Sequence, residues 1–372
     1  LLLVPPPLAP PILSPLPFTT YTIADGLPST KLHHVMQDRR GFIWLSTSQV
    51  LACFDGNNFK VYNHSRSDSN SMPSSGVGSC IELKNHELLF QSASSLWELN
   101  PYNNQQHAPP SFWNNDNSGM PFFLNGNLIA IRYFTKIYFT DMNLGVLDSV
   151  SNPFTANSII YSGNNRIIFS NGFKTFSYSL NDKKTEEWEI PVKSFKLTNG
   201  YGYHIAQADT LNKIVYISSS NMGVYKMSYD KANASYLKPI HFLDNIIDGG
   251  TGNFGCYAGN LIILNNSGLS IQQPGHPGII AKNIPSDNSS ILPGDLMDIY
   301  TENNNNYWVT TKKGISRFNL QQVHCQFWKL PYPSIVEQYK KYDGKIWMNS
   351  EQTGSLYLDI KSQQLKVIDS SI

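Results

Sequence analysis

Four acidic residues near turn signals, Asp25, Asp244, Asp295 and Glu351, are the carboxylates that could pair for glycoside cleavage. That chemistry needs one carboxyl as proton donor and a second as base or nucleophile, on one face and at a defined separation. Nothing in the spacing pairs any two of the four, and duty in turns and caps is the stronger reading. His33 and His34 are adjacent imidazoles. Neighbours on a strand point to opposite faces, so the two do not readily share one ion, and solvated or core histidines are expected. Gly250-Thr251-Gly252-Asn253-Phe254-Gly255 fits GxGxxG. A dinucleotide fingerprint follows a strand and opens a helix, whereas Cys256 to Leu264 reads as another strand. These glycines are expected in turns between repeats. No HExxH, EF-hand loop, GxSxG or P-loop occurs. No catalytic residue, metal site or cofactor is therefore expected.

The four cysteines, Cys53, Cys80, Cys256 and Cys325, form no CxxC pair, which disfavours a zinc site. Buried thiols are expected, with a Cys53–Cys80 disulfide as the alternative. Lys and Arg number 28 against 27 Asp and Glu, with no run of like charge. A nucleic-acid groove needs clustered cations to displace counterions, so nucleic-acid binding is not expected. Apolar residues make up 41% of the chain and charged residues 15%, enough to build a core and unlike a disordered composition. Residues 1–17 combine Leu1-Leu2-Leu3-Val4 with seven prolines, from Pro5 to Pro17. Prolines at that density forbid a membrane helix, so the stretch reads as a proline-rich leader, the end of an export signal or a linker.

The elements that would position any site emerge from a repeat. Val35-Met36-Gln37-Asp38-Arg39-Arg40-Gly41-Phe42-Ile43-Trp44-Leu45-Ser46-Thr47 holds a short apolar strand, a polar turn ending in Gly, an aromatic strand, then Ser or Thr. Residues 297–311 repeat that layout around Trp308, and residues 343–350 around Trp347. Weaker copies centre on Leu89, Ala130, Ile168, Val215 and Ile262, so the eight anchors are 38–47 residues apart. In the first copy a further strand and an Asp55-Gly56-Asn57 hairpin follow, Asp-Gly supplying the positive φ that a tight turn needs. Four strands in roughly 40–50 residues is the period of a propeller blade. No 3.6-residue periodicity persists, which argues against solenoids and α/β folds. The expected fold is an all-β propeller of four-stranded antiparallel blades, seven-bladed, with eight blades as the alternative. Phe18-Thr19-Thr20-Tyr21 resembles Phe59-Lys60-Val61-Tyr62, the fourth strand of the first unit. A fourth strand arriving before its own blade must pair with a later one, here near residues 290–330, closing the ring and hiding two sheet edges. Residues 18–330 are thus expected to form the propeller. Residues 331–372 are expected as an extra blade-like unit, either an eighth blade or the start of a second propeller.

At this point the residues resemble a known family. Gly26-Leu27-Pro28-Ser29, residues 37–47 and Phe54-Asp55-Gly56-Asn57-Asn58-Phe59 look like the two-component regulator propeller repeat of bacterial hybrid sensor kinases. The match is specific over residues 25–62, good over residues 292–318 and loose between them. The resemblance implies a periplasmic sensing region, two tandem propellers, a β-sandwich, a membrane helix and a kinase. Only about the first propeller falls within these residues. The membrane would be reached only through segments C-terminal to this chain.

In a propeller the turns between second and third strands share one end with the links from each fourth strand to the next blade. That end should carry Ser48, Gln49, Ser94, Asn221, Lys312, Lys313, Glu351 and Gln352. Hydroxyls, amides and a few charges suit a hydroxyl-rich ligand or a protein surface. The leading expectation is oligosaccharide recognition by a homodimeric receptor, this chain having no enzymatic activity of its own. A catalytic propeller, lyase or glycosidase, and a protein-interaction ring are the alternatives. Trp44, Tyr307, Trp308 and Trp347 are expected mainly as packing between blades.

Overall fold

The computed structural model describes residues 16–68, 71–92, 95–109, 119–125, 127–151, 156, 158–171, 174–188, 203–209, 214–219, 223–228, 254–257, 260–265, 268–272, 279–284, 287, 289–294, 296–302, 306–320, 336–350, 354–359 and 364–368. The chain divides into two compact units, residues Leu1–Gln321 and Gln322–Ile372.

The first unit opens with β1 (Thr19–Tyr21) and a single 3-10 turn, Ile23–Asp25. Blade 1 is β2 (Leu32–Gln37), β3 (Ile43–Thr47), β4 (Leu51–Phe54) and β5 (Phe59–Tyr62). Blade 2 is β6 (Val77–Glu82), β7 (Leu88–Ser92), β8 (Ser95–Leu99) and the short β9 (Gln106–His107). Blade 3 is β10 (Met120–Asn125), β11 (Leu128–Arg132), β12 (Lys136–Thr140) and β13 (Val146–Ser151). Blade 4 is β14 (Ser158–Gly163), β15 (Arg166–Ser170), β16 (Thr175–Ser179) and β17 (Lys184–Trp188). Blade 5 shows three strands among the described residues, β18 (Tyr203–Asp209), β19 (Ile214–Ser219) and β20 (Gly223–Ser228). Blade 6 is β21 (Phe254–Tyr257), β22 (Asn260–Asn265), β23 (Gly268–Gln272) and β24 (Ile279–Lys282). Blade 7 is β25 (Leu296–Thr301), β26 (Asn306–Thr311) and β27 (Gly314–Asn319), completed by β1. Every sheet is antiparallel, and each is a meander except that of blade 7, whose outer strand is β1. The innermost strands β2, β6, β10, β14, β18, β21 and β25 neighbour one another in cyclic order, β25 lying beside β2. This is the propeller the repeat anticipates. Each of the seven anchors from Trp44 to Trp308 sits on the second strand of its blade.

The second strands are apolar because both of their faces are covered. On β3 all five residues are buried. Side chains alternate, so Ile43 and Leu45 pack with Trp308 and Ile315 of blade 7, while Trp44 packs with Cys80, Leu88 and Phe90 of blade 2. The cores therefore lie between blades, and burying one side chain of this size contributes about 2–3 kcal/mol.

Closure follows from matched residues. β1 pairs antiparallel with β27, Thr19 opposite Arg317 and Tyr21 opposite Ile315. The Phe18 and Phe318 rings are 5.2 Å apart, as Phe59 and Phe54 are 4.5 Å apart in blade 1. Tyr21 stacks on Trp308 with ring centres at 6.0 Å and meets Phe54 edge-on at 4.7 Å. A Cβ on Gly314 would stand 2.3 Å from the Tyr21 carbonyl oxygen, so only glycine admits β1 here. Gly268 plays the same part in blade 6, with the Ala281 carbonyl 2.2 Å from the position of a Cβ.

In the second unit β28 (Val336–Tyr342), β29 (Lys345–Ser350), β30 (Gly354–Asp359) and β31 (Gln364–Val367) form one four-stranded antiparallel sheet. The eighth anchor, Trp347, lies on its second strand.

Candidate functional site

Two ends of the ring differ in what they present. At one end stand the turns joining second to third strands. In blade 1, Thr47 Oγ1 accepts from the backbone N–H of Gln49 at 3.1 Å and of Val50 at 2.8 Å. It donates to the Val50 carbonyl at 2.8 Å. Thr311 repeats this in blade 7, accepting from the Lys313 N–H at 3.0 Å and donating to the Gly314 carbonyl at 3.3 Å. The Thr that ends the second strand of these two blades is thus a turn lock. It leaves Gln49, Lys312 and Lys313 exposed, with Ser48 half-buried. Ser94, Asn221, Glu351 and Gln352 lie outside the described residues, as do Asp244, Asp295 and Cys325. Asp25 has cap duty, its carboxylate accepting from Thr22 N–H at 2.8 Å and Thr22 Oγ1 at 2.9 Å.

At the other end the polar turns between first and second strands hold a recurring acid. Asp38 Oδ2 accepts from Trp44 Nε1 at 2.9 Å and from Arg40 Nη2 at 2.7 Å, while Oδ1 takes two backbone N–H groups at 3.0 Å. Glu302 accepts from Trp308 Nε1, and from Arg317 Nη2 at 3.2 Å. The acid and its tryptophan are six residues apart in both blades. These tryptophans satisfy their only polar atom internally, which fits a packing role and leaves no N–H for a ligand.

Among the histidines, His33 is exposed and His34 is turned to its neighbours. Cys53 and Cys80 are buried free thiols, so the alternative disulfide does not form. The single strand expected over Cys256 to Leu264 is two, β21 and β22, and Gly255, expected in a turn, lies within β21. No helix follows the glycine cluster there.

Sequence reasoning passed over one cluster at the same end as Asp38. Glu87 immediately precedes β7, Glu98 lies on β8, and His107 ends β9. Register places Glu98 opposite His107 across β8 and β9. Strand alternation puts Glu98 beside Leu96 on the face of blade 2 that packs against blade 3. One ligand atom from each of the three residues lies within 4.8 Å of the others. His107 Nε2 is 3.0 Å from Glu87 Oε2. Asn85 Nδ2 and Asn100 Nδ2 each donate to the Glu87 carboxylate at 3.2 Å. The three line a pocket of about 540 Å³ with Leu83 and with Met142, Asn143 and Leu144 from the β12–β13 turn. Glu98 is 6% exposed. Its pKa is raised, first by burial; His107 opposes this and the Glu87 carboxylate adds to it. Asn85, His86 and Glu87 read in sequence as one more polar turn. Only the register of three strands gathers the ligand set.

No family model matches the chain, and no curated protein matches it. Solved structures do. One, described as the extracellular domain of a hybrid two-component system, BT3049 from B. thetaiotaomicron, is 15% identical with a TM-score of 0.63, covering 95% of this chain and 49% of that one. The extracellular domain of BT4673 from the same organism matches at 15% identity and TM-score 0.63, covering 92% and 45%. Streptogramin B lyase matches at 10% identity and TM-score 0.58, covering 81% and 97%. This chain is similar to all three in fold, and it spans just under half the length of the two-component domains.

Proposed function

We propose that this chain is the first ring of the extracytoplasmic sensing region of a hybrid two-component receptor, and that it signals by binding an oligosaccharide rather than by catalysis. The observation that carries the reading is the exposed end of the ring. Its described turns offer the neutral amide of Gln49 and the ammonium groups of Lys312 and Lys313, held by Thr47 and Thr311. Such groups fix sugar hydroxyls, and the described residues of these turns include no carboxylate pair of the kind glycoside cleavage uses. The extracellular two-component domains of similar fold support the receptor assignment. Ser48 of the same turn belongs to the proposed surface. Ser94 and Asn221, and in the second unit Glu351 and Gln352, are proposed as ligand contacts from their places in the repeat. The four-stranded second unit is assigned as the first blade of a following ring, with a membrane segment and kinase beyond, and the receptor as a homodimer. A modest affinity suffices, since the ligand need only favour one arrangement of that dimer.

The test is a glycan-library thermal-shift screen of the full chain, because a ligand that binds only the folded state raises its apparent stability. The expected result is a shift with a subset of oligosaccharides that is cut at least severalfold in Gln49→Ala and in Lys312→Ala/Lys313→Ala. Release of reducing or unsaturated ends from a polysaccharide panel would instead establish a catalytic propeller.

A further inference from the structure

We propose that Glu87, Glu98 and His107 hold a divalent cation of zinc-like character in the pocket between blades 2 and 3. The geometry is close to what such an ion needs. Zinc bonds of about 2.0–2.1 Å to nitrogen and oxygen place tetrahedral ligands roughly 3.4 Å apart. The His107 Nε2–Glu87 Oε2 distance is already 3.0 Å, and all three ligand atoms lie within 4.8 Å of each other. Binding one ion would draw the more distant of these atoms together by side-chain rotation.

A second observation comes from Glu98 itself. It is 6% exposed and lines the pocket. Its carboxyl meets the Glu87 carboxyl, with which it shares a hydrogen bond, and the residues lining the pocket include no Lys or Arg. Its polar neighbours are the Glu87 carboxylate and the His107 ring. A buried carboxylate facing another carboxylate is strongly unfavourable unless a proton or a cation lies between them. A divalent cation supplies that charge and satisfies both acids at once.

The outer contacts fit ligand duty. Asn85 and Asn100 orient the Glu87 carboxylate, and the Ala108 carbonyl lies 3.4 Å from His107 Nδ1, which favours the tautomer with Nε2 turned to the acids. An imidazole with two carboxylates selects zinc or manganese over calcium, whose shells are oxygen alone. Three protein ligands leave a position open toward the pocket for water or a ligand oxygen. The ion would clamp β9, only two residues long, onto β7 and β8.

The experiment uses chelator-treated, tag-free full chain titrated with zinc sulfate, and in parallel with manganese and calcium chlorides, by melting temperature and calorimetry. Zinc should bind one to one and raise Tm by about 5 °C or more at hundredfold excess over Kd. Glu98→Gln and His107→Gln should each abolish the shift, while the off-site His33→Gln should retain it. Glu87→Gln, nearer the pocket mouth, serves if Glu98→Gln fails to fold in chelator. The proposal is overturned if no ion shifts Tm, which would mean that a shared proton neutralises the acids. It is equally overturned if a zinc shift survives both Glu98→Gln and His107→Gln, or if calcium stabilises the His107→Gln variant as well as the parent chain.

Discussion

His34 Nδ1 lies 3.1 Å from Asp298 Oδ2, so one imidazole on the innermost strand of blade 1 grips the innermost strand of blade 7. The same carboxylate oxygen accepts the Val35 N–H at 3.1 Å. The other ring nitrogen stands 3.1 Å from the Cys80 carbonyl on blade 2. Both partners of the ring are acceptors, so only the imidazolium, with two N–H donors, satisfies both. Burial acts to lower the His34 pKa, but the hydrogen bond and charge of Asp298, with the Cys80 carbonyl, outweigh it and raise the value.

A pH dependence of stability follows. A histidine raised in the folded state binds its proton more tightly there than in the unfolded chain. Its contribution is fully present below about pH 6.5, the unfolded value, and is lost as pH rises through the folded value. Tm should therefore fall as pH rises above about 6.5, and His34→Gln should flatten that part of the profile while costing about 1–3 kcal/mol at pH 6. An unchanged slope in His34→Gln would show that other groups set it.

Closure of the ring depends on Gly314. At φ +154° and with the Tyr21 carbonyl 2.3 Å from a Cβ, Gly314→Ala must push β1 off β27. The expected cost is about 2 kcal/mol or more, with new proteolytic sensitivity near residues 16–24. Gly56→Ala separates strain from clash, since φ is +103° there but no atom lies within 4 Å, and should cost only about 1 kcal/mol. Deleting residues 1–24 should destabilise the ring by exposing the same edge; an unaltered melt would refute closure by β1.

Asp38 satisfies Trp44 Nε1, Arg40 and two backbone N–H groups from a nearly buried position. Asp38→Ala orphans the indole N–H and a guanidinium together, and should cost about 2–4 kcal/mol. Asp38→Asn keeps an acceptor and should cost clearly less. Denaturant melts followed by tryptophan fluorescence measure both, and equal losses would exclude the hydrogen-bonded role.

Burial, with the Asp38 carboxylate adding to it, pushes the Cys53 thiol up to about 12, and burial pushes Cys80 higher still. Neither forms appreciable thiolate at neutral pH. Peptide mapping after iodoacetamide should find both unmodified in native protein and both alkylated in guanidinium. Native labelling of either would mean that the interface between blades 1 and 2 opens readily.

Much of the fold is legible in the chain because a propeller is built from local rules. A second strand covered on both faces must be apolar throughout, so residues 43–45 and 307–309 announce themselves, and Asp55-Gly56 marks its own hairpin. Closure is legible too, because the phenylalanine and tyrosine of residues 18–21 repeat those of residues 59–62. Polar spacing also gives away the turns that carry Gln49, Lys312 and Lys313.

The sequence by itself determined the repeat and the strand order, since these depend on neighbours within one blade-length of chain. It also determined the strand that closes the ring, since residues 18–21 repeat the pattern of residues 59–62 although their partner β27 is far along the chain. What the polar residues His34, Asp38, Glu302 and the blade 2 cluster do was decided by the tertiary structure alone. His34 and Asp298 are separated by 264 residues, and no local pattern relates them. Asp38 and Glu302 look like turn acids until their tryptophans fold back onto them. Glu87, Glu98 and His107 come together only because β7, β8 and β9 pair in one register and blade 3 then covers their face. Burial there removes the water that would otherwise screen two like charges, and the pairing that creates the problem is set by backbone hydrogen bonds, which carry no mark of side-chain identity.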